Sequence, residues 1–494
     1  MVPGRKSDPR SWGDSRRRPE GPPTGAIPPG PGGGSEGSGA IMILRRCFLL
    51  FAVACGHGCQ TVPPQALSAL SLSMFECDVS PPVGHPLTGG SRDPVLSIAT
   101  PLLARGLVLA EGRNRYVVCA IDWCRIQNGA YDLFRAKLAA AVGTIPSQVA
   151  LQCTHAHEAP LADSGAQHLL DQSPSPPVHL DLAFLERVTD RLAESARAAL
   201  VRGRPFTHIG YGKGKVEQVA SNSRVFMPDG KLVERPSVTS SPAIQAQPEG
   251  KIDPWIRTIT LFDGESPLVR LHYYACHPEN TFTHGKVSSD IFGPLRERLQ
   301  REDGVPHLYF AGCGGDVGMG KYHVTPAEDC SIGAIDRISA GIREAVRSTQ
   351  RAPVVGIDWK AVEVRLVSRA DTESEAALRE RIGDAARPAR ERIRAALALS
   401  WIERMKAKPA IDVSRLRLGP VSIVHLPGEP FVEYQLYAQG LTTDFVAVAG
   451  YGDGGPGYIC TDQGVAEGGY QPSASRVGPP TEARLKEAIA LALR

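Results

Sequence analysis

The sequence predicts an α/β protein of mixed β-sheets flanked by helices, gathered in a single large domain. Three observations carry that prediction. Short apolar and β-branched runs alternate with amphipathic helical stretches, several of those runs are joined by loops alone, and no fixed-period repeat or long linker divides the body after about residue 70. Connections of uneven length argue for a mixed sheet and against a strict βαβ repeat.

In chain order, the apolar runs predict strands at Gly106–Ala110, Arg115–Ile121, Gln148–Cys153, Ile256–Leu261, Leu268–Cys276, Leu308–Ala311 and Val421–Leu426. Helical periodicity predicts helices at Tyr131–Val142, Leu182–Leu200, Ile332–Arg347, Glu373–Met405 and Thr481–Leu493. Asp181 is placed to cap the second helix, and Pro388 should kink or divide the fourth.

The 494 residues hold 55 Lys and Arg against 52 Asp and Glu, with 42% hydrophobic and 6% aromatic residues, the balance of a folded protein. The first 60 residues carry eight basic and four acidic side chains, so the remaining 434 carry 47 and 48 and are close to neutral. A basic nucleic-acid-binding body is therefore not expected. Eleven cysteines without any CxxC pair suggest neither a disulfide scaffold nor a zinc ribbon, although export would permit pairing.

Residues 1–41 are rich in Gly and Pro and lack an apolar period; they read as a disordered or untranslated leader. Residues 42–60 read as an export signal, with Arg45 and Arg46 ahead of the apolar run Cys47–Ala54. The alternative is a short N-terminal core helix. RRCFLL resembles a twin-arginine signal, and FAVAC resembles a lipoprotein box that would place a lipid anchor on Cys55. The expected location is outside the cytoplasm, periplasmic or extracellular. No later segment reaches the roughly 18 uninterrupted apolar residues of a membrane span, which leaves room only for membrane-surface contact.

Candidate chemistry collects at strand ends. CTHAHEAP follows the apolar run QVALQ, and an extended segment alternates its faces, so His155 and His157 should project to one side. Two imidazoles there can hold or serve one metal, although H-x-H alone is a common coincidence. His277 ends another apolar run just before a proline; its plainer reading is a histidine bonded to a loop. GCGGDVGMG follows a third strand and offers glycines for close approach together with one acid, Asp316; its spacing fits no nucleotide-binding loop. Glu429 lies in the Pro-Gly turn of VSIVHLPGEPF, where capping of the next helix would also explain it. A Gly-rich loop with Tyr451, Tyr458 and Tyr470 follows. Two histidines, a glutamate and one more oxygen donor suit Zn2+ with an open position, but spacing alone does not select those four.

Taken in order, six motifs resemble the catalytic domain of the neutral/alkaline non-lysosomal ceramidases, especially the shorter bacterial proteins similar to it. They are FECDVSPPVGHPLTGG at 75–90, THAH, ACHPENT, GCGGDVG, PGEPF and GY…GYICT…EGGY, ending at residue 470. The resemblance implies a ceramidase-like catalytic domain over residues 70–494 and zinc held by His155, His277, Glu429 and Tyr458. It implies a metal-activated water that cleaves a lipid-like or other small N-acyl amide. His157 or a neighbouring acid, with Asp316 the acid singled out, would pass the proton to the leaving amine. Three departures stand out: Gly318 where the family carries serine, Gly455 at an aromatic position of the pattern, and an end that leaves no room for a C-terminal immunoglobulin-like domain. Gly318 keeps open a non-catalytic exported binding protein on the same fold, and the same site could serve a metal-dependent hydrolase of esters or phosphate esters.

Overall fold

Apolar and β-branched runs build the strands of three main sheets, each with one parallel pair at an edge of otherwise antiparallel neighbours. The computed structural model describes residues 70–494 apart from 279–283, 324–327 and 453. The expected leader, the export signal and Cys55 lie outside the described residues.

The first sheet runs Val149–Cys153, Asn114–Ile121, Leu103–Glu111, Leu70–Asp78 and Arg204–Pro205, with Asn114–Ile121 and Val149–Cys153 parallel. The second runs His307–Ala311, Ser266–Tyr274, Trp255–Asp263, His208–Lys215 and Gln350–Pro353, its parallel pair being Ser266–Tyr274 with His307–Ala311. The third runs Asp358–Val364, Ile411–Leu418, Val421–Pro427 and Phe445–Gly452, the last two parallel. These are the mixed, helix-flanked sheets that the sequence predicts.

A parallel pair sends both carboxyl ends the same way, so each edge delivers two loops to one side. The three parallel edges abut, because Val149–Cys153, His307–Ala311 and Phe445–Gly452 contact one another. Between the sheets lies a shared core that includes Val118 and Ala150 of the first, Leu271 and Phe310 of the second, and Ile423 and Ala449 of the third. Each large apolar side chain buried there contributes about 1.5–3 kcal/mol. Helices cover the outer faces: Asn128–Val142 and Leu182–Ala199 on the first sheet, Phe292–Asp303 and Glu328–Arg347 on the second, and Thr481–Leu493 on the third.

Local signals hold where the chain decides its own structure. Asp181 caps Leu182–Ala199 by accepting from the Phe184 amide at 3.0 Å, and Phe184, Leu185, Val188 and Leu192 form its buried stripe. Pro388 breaks the fourth expected helix outright into Glu375–Gly383 and Ala389–Ala407, since its ring would clash with the preceding turn. Among the described residues no helix is long and apolar enough to cross a membrane, and Cys77, Cys119, Cys124, Cys153, Cys313 and Cys460 form no disulfide.

Buried neutral histidines make this fold acid-sensitive. Burial pushes His179 down to about 4 and His425 down to about 3. Both therefore stay neutral in the folded protein while their unfolded counterparts gain a proton below about pH 6.5. Their contribution is complete above that pH and lost as pH falls, by about 2 kcal/mol for each histidine between pH 6.5 and 5. Urea midpoints measured across that range should fall with acid, and His425→Gln should flatten the dependence. A flat profile in the parent protein would contradict this account.

Candidate metal centre

Three of the four expected ligands follow a strand of a parallel pair. His155 lies two residues beyond Val149–Cys153, His277 three beyond Ser266–Tyr274, and Glu429 two beyond Val421–Pro427. The abutting edges bring them together. The His155 and His277 ring centres are 4.3 Å apart, and their Nε2 atoms are 2.9 Å apart. Glu429 Oε2 lies 3.4 Å from His155 Nε2. All three side chains are buried.

The expected reason for pairing His155 with His157 needs correction. The strand has ended by His155, whose φ of +69° takes the backbone out of the extended region, so strand alternation does not aim these rings. The His155 amide instead donates to Trp123 O at 3.1 Å, and the turn brings the His157 ring to 4.9 Å from His155 and 5.1 Å from His277. The glycines of the third loop admit other loops of the site: Gly314 O lies 3.2 Å from His277 Nδ1, and a Cβ at Gly315 would sit 2.4 Å from Glu429 O.

The tautomers follow from the partners. His155 Nδ1 lies 2.7 Å from Cys124 O, a pure acceptor, so the proton is on Nδ1. The carbonyl of Gly314 assigns the His277 proton to Nδ1 in the same way, with Tyr451 Oη 3.1 Å away. Both Nε2 atoms then present lone pairs to each other and to Glu429 Oε2, which accepts no hydrogen bond. Three converging acceptors in a buried site repel unless a cation stands between them. The N/O set fits Zn2+: two nitrogens bound at roughly 2.0–2.1 Å in a tetrahedral arrangement would lie about 3.3 Å apart, close to what is found. Carbonyls on the Nδ1 side are the usual support for such ligands.

Electrostatics keep the donors ready. Burial, then His277 and His157, hold the His155 imidazole well below its ordinary value, and burial with His277 does the same for His157. Arg125 Nη2 lies 2.5 Å from Glu429 Oε1; burial opposes the arginine's charge, but Glu429 outweighs it and raises the guanidinium above its ordinary value. Tyr458 is the strand partner of Glu429, and its ring stacks 6.5 Å from His277. A second grouping, Cys124 with His155 and His157, is geometrically compact. Burial, however, pushes the Cys124 thiol up to about 12, leaving a neutral sulfur.

Asp316 is the candidate that the structure does not bring to the cluster. Its Oδ1 accepts from the Val432 amide and its Oδ2 from Asn222 Nδ2, both at 2.8 Å, tying the glycine loop to the helix Val432–Gly440. It lines a separate cavity of about 310 Å³, where burial and Glu433 push its carboxyl up to about 7. Sequence reasoning missed Arg125, although DWCR follows the strand YVVCAI just as CTHAH follows QVALQ.

His155, His157, His277 and Tyr458 line a cavity of about 880 Å³. Gly318 pairs as a short strand with Ser221, whose Oγ donates to its carbonyl at 3.3 Å.

No family model matches the sequence, and no curated protein matches it. Solved structures similar to it include two ceramidases. The neutral ceramidase from Pseudomonas aeruginosa is 18% identical with a TM-score of 0.64, covering 86% of this chain and 75% of that one. A ceramidase complexed with C2 is 17% identical with the same TM-score of 0.64, covering 85% and 74%. At these identities the likeness is one of architecture: the chain has a ceramidase-like fold.

Proposed function

We propose that the protein is a zinc-dependent hydrolase that cleaves an N-acyl amide. The observation that carries the reading is the pair of Nε2 atoms, 2.9 Å apart beside a buried carboxylate, on the wall of a substrate-sized cavity. The ceramidase-like fold supports the amide as the bond cleaved.

In this reading His155, His277 and Glu429 hold the ion and Tyr458 completes the set. A bound zinc supplies Lewis-acid activation of water and of the acyl oxygen. His157, held neutral by burial and by His277, serves as the base that accepts the proton lost by the attacking water and delivers it to the departing nitrogen. Arg125 pairs with Glu429 and holds its carboxylate in place, and the carbonyls of Cys124 and Gly314 fix the two ligand rings. With Asp316 facing another cavity, His157 carries the proton transfer. An exported location and contact with a membrane surface are part of the same proposal, since ceramide-like amides reside in membranes.

Purified protein should contain about one zinc per chain by mass spectrometry. Chelator should abolish hydrolysis of a short N-acyl substrate, and zinc should restore it. Chelator-insensitive turnover would remove the metal from the mechanism. Metal binding without turnover across amides, esters and phosphate esters would favour the binding-protein reading that Gly318 motivates.

A further inference from the structure

The cavity beside the histidines has a second chemical character. One face of the helix Ala389–Ala407 forms part of its wall through Arg390, Ile393, Arg394, Leu397 and Trp401, which recur at helical spacing. Ile393, Leu397 and Trp401 are buried and make an apolar stripe, whereas Arg390 and Arg394 are exposed toward the start of the helix. Arg476 lines the same cavity, its Nη1 donating to Gly455 O at 2.6 Å.

Counting charge separates these arginines from the rest. Seven arginines line the cavity. Arg125 pairs with Glu429, Arg369 with Asp371 and Arg381 with Glu373, and Arg92 lies 4.0 Å from Glu158. Arg390, Arg394 and Arg476 have no carboxylate partner among the described residues. Arg390 and Arg394, with Arg476 offset only by the more distant carboxylates of Asp163 and Glu429, concentrate positive potential around one concavity. A guanidinium also matches the paired oxygens of a carboxylate or phosphate, which a neutral lipid does not offer.

We infer that the substrate is an anionic amphiphile: an acyl amide bearing a carboxylate or phosphate that Arg390, Arg394 and Arg476 bind, with its hydrocarbon against Ile393, Leu397 and Trp401. The inference rests on the hydrolase reading above and narrows its substrate class. In the reaction water adds across the amide. Its oxygen bonds to the acyl carbon, the C–N bond breaks, one proton goes to the departing nitrogen, and the anionic group is unchanged.

The test uses the zinc-loaded full chain and three amides with the same lauroyl group: N-lauroylglycine, N-lauroyl-O-phosphoethanolamine and neutral N-lauroylethanolamine. At least one anionic amide should exceed the neutral one in kcat/KM by about tenfold or more, and the advantage should shrink with added salt. The better of the two anions identifies the group recognised. The double variant Arg390→Gln with Arg394→Gln should bring the ratio close to one. Arg387→Gln, in an exposed turn and paired with Asp384, should preserve it. Equal kcat/KM for all three amides overturns this inference and leaves the hydrolase reading standing. If none is cleaved, calorimetric binding to chelator-treated protein decides. Tighter binding of N-lauroylglycine than of N-lauroylethanolamine, weakened in the double variant, upholds the anion site while the hydrolase reading falls; equal binding overturns the anion site too.

Discussion

Glu429→Gln is expected to strip the protein of its metal and lower kcat/KM by more than about 10²-fold, beyond the 10–100-fold typical of losing a residue that merely supports a ligand. The substitution changes few atoms but acts twice. It replaces a carboxylate oxygen 3.4 Å from His155 Nε2 with a neutral amide, and it leaves the Arg125 guanidinium, 2.5 Å from Oε1, without its counter-charge. A cationic arginine facing two neutral imidazoles then disfavours a divalent ion in the same space. Zinc content after exhaustive dialysis and kcat/KM on the same preparation give the two readouts. A Glu429→Gln protein that retained a full equivalent of zinc would remove Glu429 from the ligand set.

Asp122→Ala should be the most destabilising change away from the site, at about 3–5 kcal/mol, the usual consequence of removing one partner of a buried ion pair. Asp122 takes both guanidinium nitrogens of Arg296, at 2.8 and 2.5 Å, with both side chains buried. Burial opposes the charge on Arg296, and Asp122 overcomes that opposition. The carboxylate also accepts from the Leu103 amide at 3.0 Å and from Thr154 Oγ1 at 3.2 Å, so it fastens the residue just before His155. Its loss strands a buried cation and loosens the approach to the cluster together. Urea unfolding supplies the number, and Asp122→Leu combined with Arg296→Met should recover most of the loss, because apolar groups leave no charge to strand. A loss below about 1 kcal/mol in Asp122→Ala would mean that water reaches Arg296.

Elements that could be read from the sequence are those whose causes lie within a few residues. The cap at Asp181, the break at Pro388 and the apolar runs of the central strands are local, and the structure has them. His208–Lys215 was illegible because HIGYGKGK reads as a loop; its glycines answer to a distant helix. A Cβ at Gly212 would lie 2.1 Å from Ala345 O, and one at Gly214 would lie 1.9 Å from Gly341 O. Only that tertiary contact makes a glycine-rich strand sensible.

The site divides in the same way. Strand-end position marked His155, His277 and Glu429 as candidates, while their selection needed the order of six motifs and their convergence needed three sheets to abut. Asp316 illustrates the converse. A carboxylate within a recognised motif can turn away, because a helix amide and an asparagine a hundred residues off claim it first.

The crowding around the cluster bears on how such a site can change over generations. A Cβ at Gly315 would meet Glu429 O at 2.4 Å, and one at Gly454 would meet Ile126 O at 1.9 Å, in the short strand that begins with Arg125. Both obstacles are backbone, so no side chain can rotate aside to accept a newcomer. A ligand lost to mutation can be regained at the same position, and the cavity wall can vary freely among polar and apolar residues. The two bare α-carbons have no such latitude. Descendants of this sequence are free to explore new substrates through the helix face, while the mutational paths they follow stay pinned at positions that contribute no side-chain chemistry at all.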